Sequence, residues 1–378
     1  MAAQLIAGGR VATPDGVLDP GWVLVEDGAI SAVGEGDPPE PPDAERTEAD
    51  GAWVVPGFVD IHCHGGGGAA FTEPGQVRQA VEAHRRHGTT TMLASLVSRP
   101  VPELVEQVAA LREFVTGGLL AGIHLEGPFL SAARCGAHDP AVLRPPDAAS
   151  VDMLLAAGQG AIRMVTIAPE LDGAVPAVKR LVDAGVLAAV GHTDARAEDV
   201  VPAVDAGASV ATHLFNGMRP LHHREPGPIG TLLDDERVTV ELICDLVHLH
   251  PTVVRLAARH AGSGRTVLIT DAISAAGAGD GVYDIGGLEV TVTDGVPTLA
   301  GGGSLAGSTL TMDTAFRNLV HSCGLGVLEA VTASSTRPAE LLGLGNVTGR
   351  IAPGYAADLV LLDETLHPDA VMKGGEWV

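Results

Sequence analysis

Two histidines that are two residues apart, His62 and His64, follow an apolar segment of the chain. In an extended segment, side chains alternate between the two faces, so His62 and His64 point the same way and Cys63 points the other way. Imidazole is a common ligand of zinc, iron and related ions. The spacing therefore predicts that both histidines bind one cation, although a strand that merely ends in two histidines would show the same pattern.

Residues that could serve as ligands also follow other apolar segments of the chain. A single buried polar residue is usually structural, but ligand-type residues after six separate segments are not expected by chance. This recurrence favours one site assembled from many segment ends. Besides His62 and His64, the residues concerned are Glu126, His192, His213, Asp245, His248 and Asp271.

Glu126, His192 and His213 make a set of two histidines and one carboxylate, which is usual for a catalytic metal that keeps an open coordination position. The pair His62 and His64, with Glu126 shared, would hold a second ion. We therefore predict one or two divalent ions per subunit. Zinc is the first expectation, and iron, manganese and cobalt suit the same nitrogen and oxygen ligands.

Asp271 is the candidate general base. A divalent ion lowers the pKa of a bound water towards 7 and polarises a carbonyl oxygen. Asp271 would take the proton of that water and later give it to the leaving group. Two structural alternatives stay open, since Glu126 could cap the next turn and Asp271 could orient a ligand histidine.

Apolar and amphipathic segments alternate over most of the chain and must position these residues. This alternation predicts a parallel sheet with right-handed crossovers. Eight strands favour a TIM-like (β/α)8 barrel, in which the C-terminal strand ends form the active face; a doubly wound open sheet is the weaker alternative. The predicted strands are 54–62, 89–96, 121–125, 163–167, 187–190, 209–211, 239–243 and 266–269. The predicted helices between them are 74–87, 102–114, 148–156, 175–184, 197–206 and 251–260, and three more, 311–321, 327–333 and 338–342, would close the barrel.

The two ends of the chain carry short β-type segments separated by turn residues. We expect residues 1–55 and 345–378 to form one small β-sandwich domain, and residues 56–344 to form the barrel. The proline-rich, acidic stretch 37–50 predicts an exposed loop. A hairpin-like insertion is expected at 282–298, before a glycine-rich loop at 301–308.

The composition limits the classes of partner. The formal charge of −24 disfavours nucleic acid and anionic membranes as partners. Four cysteines without paired spacing, Cys63, Cys135, Cys244 and Cys323, fit a reducing cytoplasm better than a disulfide framework. The N-terminal residues do not resemble a signal peptide, and no apolar run has the length of a membrane span.

These motifs resemble the amidohydrolase superfamily and, more closely, the family of N-acetylglucosamine-6-phosphate deacetylases. The resemblance extends over nearly the whole chain. The combination of residues 124–129 with residues 212–218 is specific for the deacetylase family, whereas residues 56–65 indicate only the superfamily. The matching blocks are PGFVDIHCHG (56–65), HLEGPF (124–129), GAH (136–138), APE (168–170), GHT (191–193), THLFNGM (212–218), DLVH (245–248), TDA (270–272) and LAGS (305–308).

The resemblance implies hydrolysis of the acetamide of a phosphorylated N-acetyl amino sugar. It assigns Glu126, His192 and His213 to the metal and Asp271 to proton transfer. It assigns the acetyl carbonyl to His138. Asn216, the Gly217 amide, His248 and Leu305 would contact the sugar phosphate. Arg224 would reach the phosphate of a neighbouring subunit, so a homodimer is expected, and its guanidinium suits phosphate oxygens.

One departure from the family pattern and two functional alternatives remain open. Cys135 stands where the family leads us to expect a basic residue, and it is either an inert thiol or a loop contact to ligand or metal. Another amidohydrolase, acting on a cyclic amide or a deaminase substrate, is the first functional alternative. Against it, the segment that ends at Glu170 lacks the lysine that some cyclic amidases carbamylate. A catalytically inactive barrel with a binding role is the second.

Overall fold

Eight parallel strands form a barrel in the computed structural model, which describes residues 3–39, 44–301 and 303–378. Each barrel strand pairs with the next one along the chain, as the alternating pattern predicted. The predicted TIM-like barrel is therefore confirmed. In chain order, the barrel strands are Phe58–Asp60, Thr89–Val97, Gly122–Glu126, Ile162–Ile167, Leu187–Val190, Val210–Ala211, Thr239–Ile243 and Thr266–Ile269.

Short contacts between the ends of the first and eighth strands complete the barrel. The Asp271 amide donates to the His62 carbonyl at 2.8 Å, and the His64 amide donates to the Ala272 carbonyl at 2.7 Å. The Thr270 hydroxyl donates to Asp60 Oδ2 at 2.6 Å. These bonds lie beside the candidate ligands, so closure of the barrel and assembly of the site depend on the same residues.

Helices cover the outside of the barrel. Nine of them match the nine predicted helices within a few residues, and Gly227–Asp234 was not predicted because its two glycines and its proline suggest a turn. The α-helices are Val77–Arg85, Val101–Thr116, Ala148–Gly158, Ala174–Asp183, Ala197–Asp205, Gly227–Asp234, Pro251–Ala261, Met312–His321, Val327–Val331 and Arg337–Leu341; the 3₁₀ turns are Pro74–Gln76 and Ala132–Arg134, and Thr332–Thr336 is π-helical.

A second, mainly antiparallel sheet combines both chain ends, which confirms the predicted small β domain. Its central pairing places Trp53–Pro56 beside Leu359–Leu362. Glu45–Glu48 is a strand within the stretch predicted as a loop, and residues 40–43 of that stretch lie outside the described residues. Its strands are Gln4–Thr13, Gly16–Glu26, Ala29–Glu35, Glu45–Glu48, Trp53–Pro56, Leu359–Leu362, Pro368–Lys373 and Glu376–Trp377.

The single strand predicted at 54–62 is wrong in one respect, because the chain changes sheets at Gly57. Trp53–Pro56 belongs to the small domain and Phe58–Asp60 belongs to the barrel. The Gly57 amide donates to the Asp358 carbonyl, and a Cβ at Gly57 would lie 2.2 Å from Thr90 Oγ1. The continuous apolar run hid this change because both strands are buried.

The insertion after the eighth strand is a three-stranded antiparallel sheet of Gly281–Ile285, Leu288–Thr293 and Val296–Leu299. Its core includes Ile285 and Val290 and packs against Val97 and Ile273 near the barrel mouth. A hairpin-like region was predicted here. In the glycine-rich loop that follows, residue 302 lies outside the described residues.

The four cysteines are free thiols, and Cys244 Sγ lies 3.9 Å from Cys323 Sγ. Among the helices that the structure describes, none is long and apolar enough to cross a membrane.

We predict that the barrel core depends strongly on Phe58. Its side chain is fully buried and its ring centroid lies 5.5 Å from that of Phe316. Phe58→Ala should lower the free energy of unfolding by about 3–5 kcal/mol, through lost burial and a cavity. Leu256→Ala is the control, since Leu256 is 65% exposed. Urea unfolding monitored by circular dichroism measures both, and equal losses would contradict the prediction.

Candidate metal centre and active-site cavity

Glu126, the last residue of the third barrel strand, lies at the centre of a buried cluster of histidines. Its Oε1 is 2.9 Å from Nε2 of both His192 and His213. Its Oε2 is 3.1 Å from His64 Nε2, and His62 Nε2 lies 3.5 Å from Oε1. Four histidines that follow three different strands therefore face one carboxylate.

Asp271 faces the same cluster from the end of the eighth strand. Its Oδ1 is 3.2 Å from His64 Nε2 and 3.5 Å from His62 Nε2. The cluster around Glu126 thus contains two groups of potential ligands, and in each group the ligand atoms lie within 4.8 Å of one another. One group is His62, His64, Glu126 and Asp271; the other is Glu126, His192 and His213.

The hydrogen bonds of the ring nitrogens that face away from the cluster, here called the outer nitrogens, determine whether these histidines can bind a metal. His64 Nδ1 lies 3.2 Å from the Ser95 carbonyl, and His192 Nδ1 lies 2.9 Å from the Arg134 carbonyl. A carbonyl only accepts, so each Nδ1 carries a proton and each Nε2 of a neutral ring directs its lone pair into the cluster. This is the form in which a metal-binding imidazole is usually held. The ligand set therefore fits a divalent cation.

His138 has the opposite proton arrangement. The Ser98 amide donates to His138 Nδ1 at 3.1 Å, so the proton of the neutral ring lies on Nε2, which is 3.4 Å from Glu126 Oε2. Burial lowers the pKa of His138 to about 4 despite the neighbouring Glu126. His138 therefore offers an N–H to the cavity, whereas His64 and His192 offer lone pairs when their rings are neutral.

The charges of the protein groups favour an ionised Asp271. Burial would raise its pKa, but the charge of His62 and the hydrogen bond from His64 outweigh burial and hold the pKa at about 2. Burial opposes protonation of His64, yet its bonds to Asp271 and Glu126 raise its pKa to about 8. Asp271 is therefore available as a proton acceptor.

Three residues of the cluster have a left-handed backbone although none is glycine. The φ angles are 45° at His192, 28° at His213 and 51° at Asp271. This conformation costs roughly 1–2 kcal/mol per residue for side chains with a Cβ. Each follows a barrel strand directly or within two residues, so the strain arises where the chain leaves the sheet to present a side chain.

A cavity of about 270 Å³ opens above the cluster. The predicted residues Asn216, Gly217, His248 and Leu305 line it, together with members of the cluster. A Cβ at Gly217 would lie 2.9 Å from His192 Nδ1, so glycine allows this loop to approach the ring of His192. Of the further lining residues, Ala137 and Gly307 belong to matching blocks of the sequence, whereas three others had no local sequence signal because they come from separate segments: Val97, Ile285 and Ser304.

His248 lies at the cavity wall and bonds to Asp245 through Nδ1 at 2.6 Å. Burial lowers its pKa, but the bond to Asp245 and that carboxylate's charge outweigh burial, so the pKa lies above its usual value. One wall of the cavity thus carries an imidazole whose cationic form is favoured by Asp245, in a chain that is acidic as a whole.

Arg224 and Cys135 are not among the lining residues of this cavity. Arg224 is exposed, bonds to His223 Nε2 at 2.7 Å and lines a different surface pocket. Cys135 is half-buried and precedes Gly136, which does line the cavity. Within one chain, the structure therefore brings neither predicted residue to the cavity wall.

A polar network holds the loop that carries His192. Glu170 accepts from the Thr193 hydroxyl at 2.5 Å and from the Asp194 amide at 2.7 Å. Asp194 also forms ion pairs with Arg134 at 2.8 Å and with Arg219 at 2.7 Å. Sequence reasoning gave these residues no role, although Glu170 belongs to one of the matching blocks.

The chain is similar to known proteins over most of its length. The model of the amidohydrolase family matches residues 53–378. An N-acetylgalactosamine-6-phosphate deacetylase of Escherichia coli O157:H7 is 37% identical, with 97% of each chain covered. An N-acetylglucosamine-6-phosphate deacetylase of Bacillus subtilis is 36% identical over 93% of this chain and 91% of its own.

A solved structure is also similar. It is a mutant N-acetyl-D-glucosamine-6-phosphate deacetylase of Mycobacterium smegmatis in complex with N-acetyl-D-glucosamine-6-phosphate. The identity is 47% and the TM-score is 0.96, with 100% of this chain and 99% of that chain covered. The chain belongs to the amidohydrolase family and, within it, to the group that contains the N-acetylglucosamine-6-phosphate deacetylases.

We predict that Glu126→Gln weakens metal binding in both ligand groups, because Glu126 is the residue they share. The amide has no negative charge and leaves at most one acceptor oxygen. The amount of bound metal per chain should fall at least tenfold. It is measured by inductively coupled plasma mass spectrometry after dialysis against a weak chelator. Asp152→Asn, an exposed residue that pairs with Arg180, is the control. Retention of half of the metal would show that Glu126 is not shared.

Proposed function

We propose that this protein hydrolyses the acetamide of N-acetyl-D-glucosamine 6-phosphate and releases D-glucosamine 6-phosphate and acetate, in amino-sugar catabolism or cell-wall recycling. The observation that carries the proposal is the opposite proton arrangement within one cavity: lone pairs of His64 and His192 and an N–H of His138. Such a cavity can hold a cation and a carbonyl oxygen at the same time. The named relatives supply the substrate class.

Glu126, His192 and His213 would hold one divalent ion, and His62 and His64 would hold a second with Glu126 shared. An ion bound there supplies two effects, a lower pKa for a neighbouring water and a polarised acetyl carbonyl. Zinc is our first expectation, and iron, manganese and cobalt satisfy the same ligand types.

Asp271 and His138 would carry out the remaining chemistry. Asp271 is ionised and accepts a proton from the attacking water. As the water oxygen bonds to the acetyl carbon, the His138 Nε2–H donates to the carbonyl oxygen, on which negative charge develops. Asp271 then returns the proton to the sugar nitrogen when the carbon–nitrogen bond breaks. The products are acetate and the free amine.

The sugar phosphate would occupy the part of the cavity that lies near Asn216, the Gly217 amide, His248 and Leu305. His248 favours its cationic form, which suits a phosphate. Arg224 is exposed in its own chain, which is compatible with donation of its guanidinium to the site of a second subunit. We therefore infer a homodimer, and we expect it in the cytoplasm.

The alternative reaction on a cyclic amide has less support. Some cyclic amidases bridge their metals with a carbamylated lysine. The chain has two lysines, Lys179 and Lys373, and each forms an ion pair outside the cavity, with Asp183 and Asp358. All predicted metal ligands and Asp271 are present and adjacent, which also disfavours the inactive binding protein.

We predict that metal-reconstituted protein releases acetate from N-acetylglucosamine 6-phosphate and that Asp271→Asn lowers kcat by about 10²–10⁴, the range for loss of general acid–base catalysis. An enzyme-coupled acetate assay measures the release, with metal content determined in parallel. Unphosphorylated N-acetylglucosamine is the matched control and should react poorly. Release from neither sugar by the metal-loaded protein would refute the proposed reaction.

N-Acetylgalactosamine 6-phosphate is a second candidate substrate, because the Escherichia coli relative named for it is as similar to this chain as the Bacillus subtilis glucosamine enzyme is. The same assay compares kcat/KM for the two epimers, which differ only at the C4 hydroxyl. A ratio above ten in favour of the galactosamine compound would reassign the preferred substrate and leave the reaction unchanged.

We predict a pH-dependent KM that depends on His248. Because Asp245 raises its pKa, the charged imidazole persists to higher pH, and phosphate binding should weaken only as pH rises through that raised value. Asp245→Asn should move the rise in KM to lower pH. His248→Gln should give a higher KM that no longer changes in this window. Initial rates between pH 6 and 9 test this, and identical profiles for all three proteins would contradict it.

A further inference from the structure

Glu241, in the seventh barrel strand, is a fully buried carboxylate that takes no part in the proposed reaction. Burial of a carboxylate is costly unless it is paired and hydrogen-bonded. Within the described residues, no lysine or arginine forms an ion pair with Glu241, and its Oε1 has no hydrogen-bond partner. Its contacts all come from Oε2, and both are with candidate metal ligands.

The first contact is with His62. Glu241 Oε2 lies 3.3 Å from His62 Nδ1, while His62 Nε2 faces His64, Glu126 and Asp271. Because the carboxylate accepts the Nδ1 proton, the lone pair on Nε2 is directed into the cluster. A carboxylate behind a ligand histidine also makes that ligand more basic, and its loss typically weakens metal binding 10–100-fold.

The second contact is with the backbone of His213. Its amide donates to the same Oε2 at 3.1 Å, at a residue whose φ is 28°. His213 Nδ1, the ring nitrogen that faces away from the cluster, is buried and has no partner among the residues that the structure describes, unlike Nδ1 of His64 and His192. The position of His213 Nε2 therefore depends on its backbone, and Glu241 holds that backbone in place.

One oxygen thus contacts a member of each ligand group. His62 belongs to the group with His64, Glu126 and Asp271, and His213 belongs to the group with Glu126 and His192. Glu241 also adds a third carboxylate to Glu126 and Asp271 around the four histidines. This charge favours a site that is filled by more than one cation.

We propose that Glu241 is a positioning residue that sets the affinity of both ion sites, most strongly that of the His62–His64 site. The proposal rests on the divalent metal centre of the proposed function and deepens it. Glu241 touches neither substrate nor the reacting atoms, and it acts through His62 and His213.

The test compares metal binding by Glu241→Gln, Glu241→Ala and the unaltered chain. Each metal-free protein is titrated with Co²⁺, whose visible absorption reports on ligand geometry, and with Zn²⁺ in competition with a chromophoric chelator. Glu241→Gln should weaken the more loosely held ion about 10–100-fold and change the Co²⁺ spectrum. Glu241→Ala should lose that ion and also weaken the other.

Asp313→Asn is the matched control. Asp313 is another buried carboxylate that accepts a hydrogen bond from a histidine Nδ1, that of His87 at 3.2 Å, but it lies outside the cluster. The substitution Asp313→Asn should lower the thermal unfolding midpoint of the metal-free protein and leave the affinities for both ions unchanged. This separates an effect on the metal site from a general loss of stability.

Wild-type affinity for both ions in Glu241→Gln, with an unchanged Co²⁺ spectrum, would overturn the proposal. An equal loss of metal affinity in Asp313→Asn would overturn it too. If the unaltered chain binds no divalent ion, the proposed metal centre fails together with the role of Glu241. If it binds metal but releases no acetate, only the proposed reaction fails, because the titrations need no substrate.

Discussion

The convergence of the Glu126 carboxylate and four histidines on one buried point is the constraint on which the rest of the site depends. Glu126 is 3% exposed and belongs to both ligand groups. An isolated charge at this depth would be strongly unfavourable. Histidine cations can offset the Glu126 charge, and neutral histidines leave lone pairs that fit a divalent cation. One arrangement therefore suits both forms of charge compensation.

The barrel stabilises this arrangement although the backbone at three of its residues is strained. His192, His213 and Asp271 have positive φ, and such a backbone persists only where its surroundings fix it. Hydrogen bonds between the first and eighth strand ends fix Asp271 and His64. Glu170 and Asp194 fix the loop of His192. The C-terminal face of a barrel suits such a site because loops from many strands meet there on a rigid base.

The outer partners of the histidines decide what each ring can do. Backbone carbonyls behind His64 and His192 leave lone pairs facing inward, whereas the Ser98 amide behind His138 leaves an N–H facing inward. Residues of one type thus acquire two chemical properties within a few ångströms. The difference is made by main-chain groups, so it can persist through changes of many neighbouring side chains.

The sequence alone was sufficient for the barrel and for the polar residues that meet at its mouth, because strand–helix alternation and ligand-type residues at strand ends are local patterns. It did not show the change of sheet at Gly57, since both strands are equally apolar. It did not show the partners of His138 or His192, or the contacts of Glu241, because these join segments far apart in the chain. A hydrogen bond between distant segments leaves no local pattern, so only the tertiary structure determined which histidine offers a lone pair and which offers a proton.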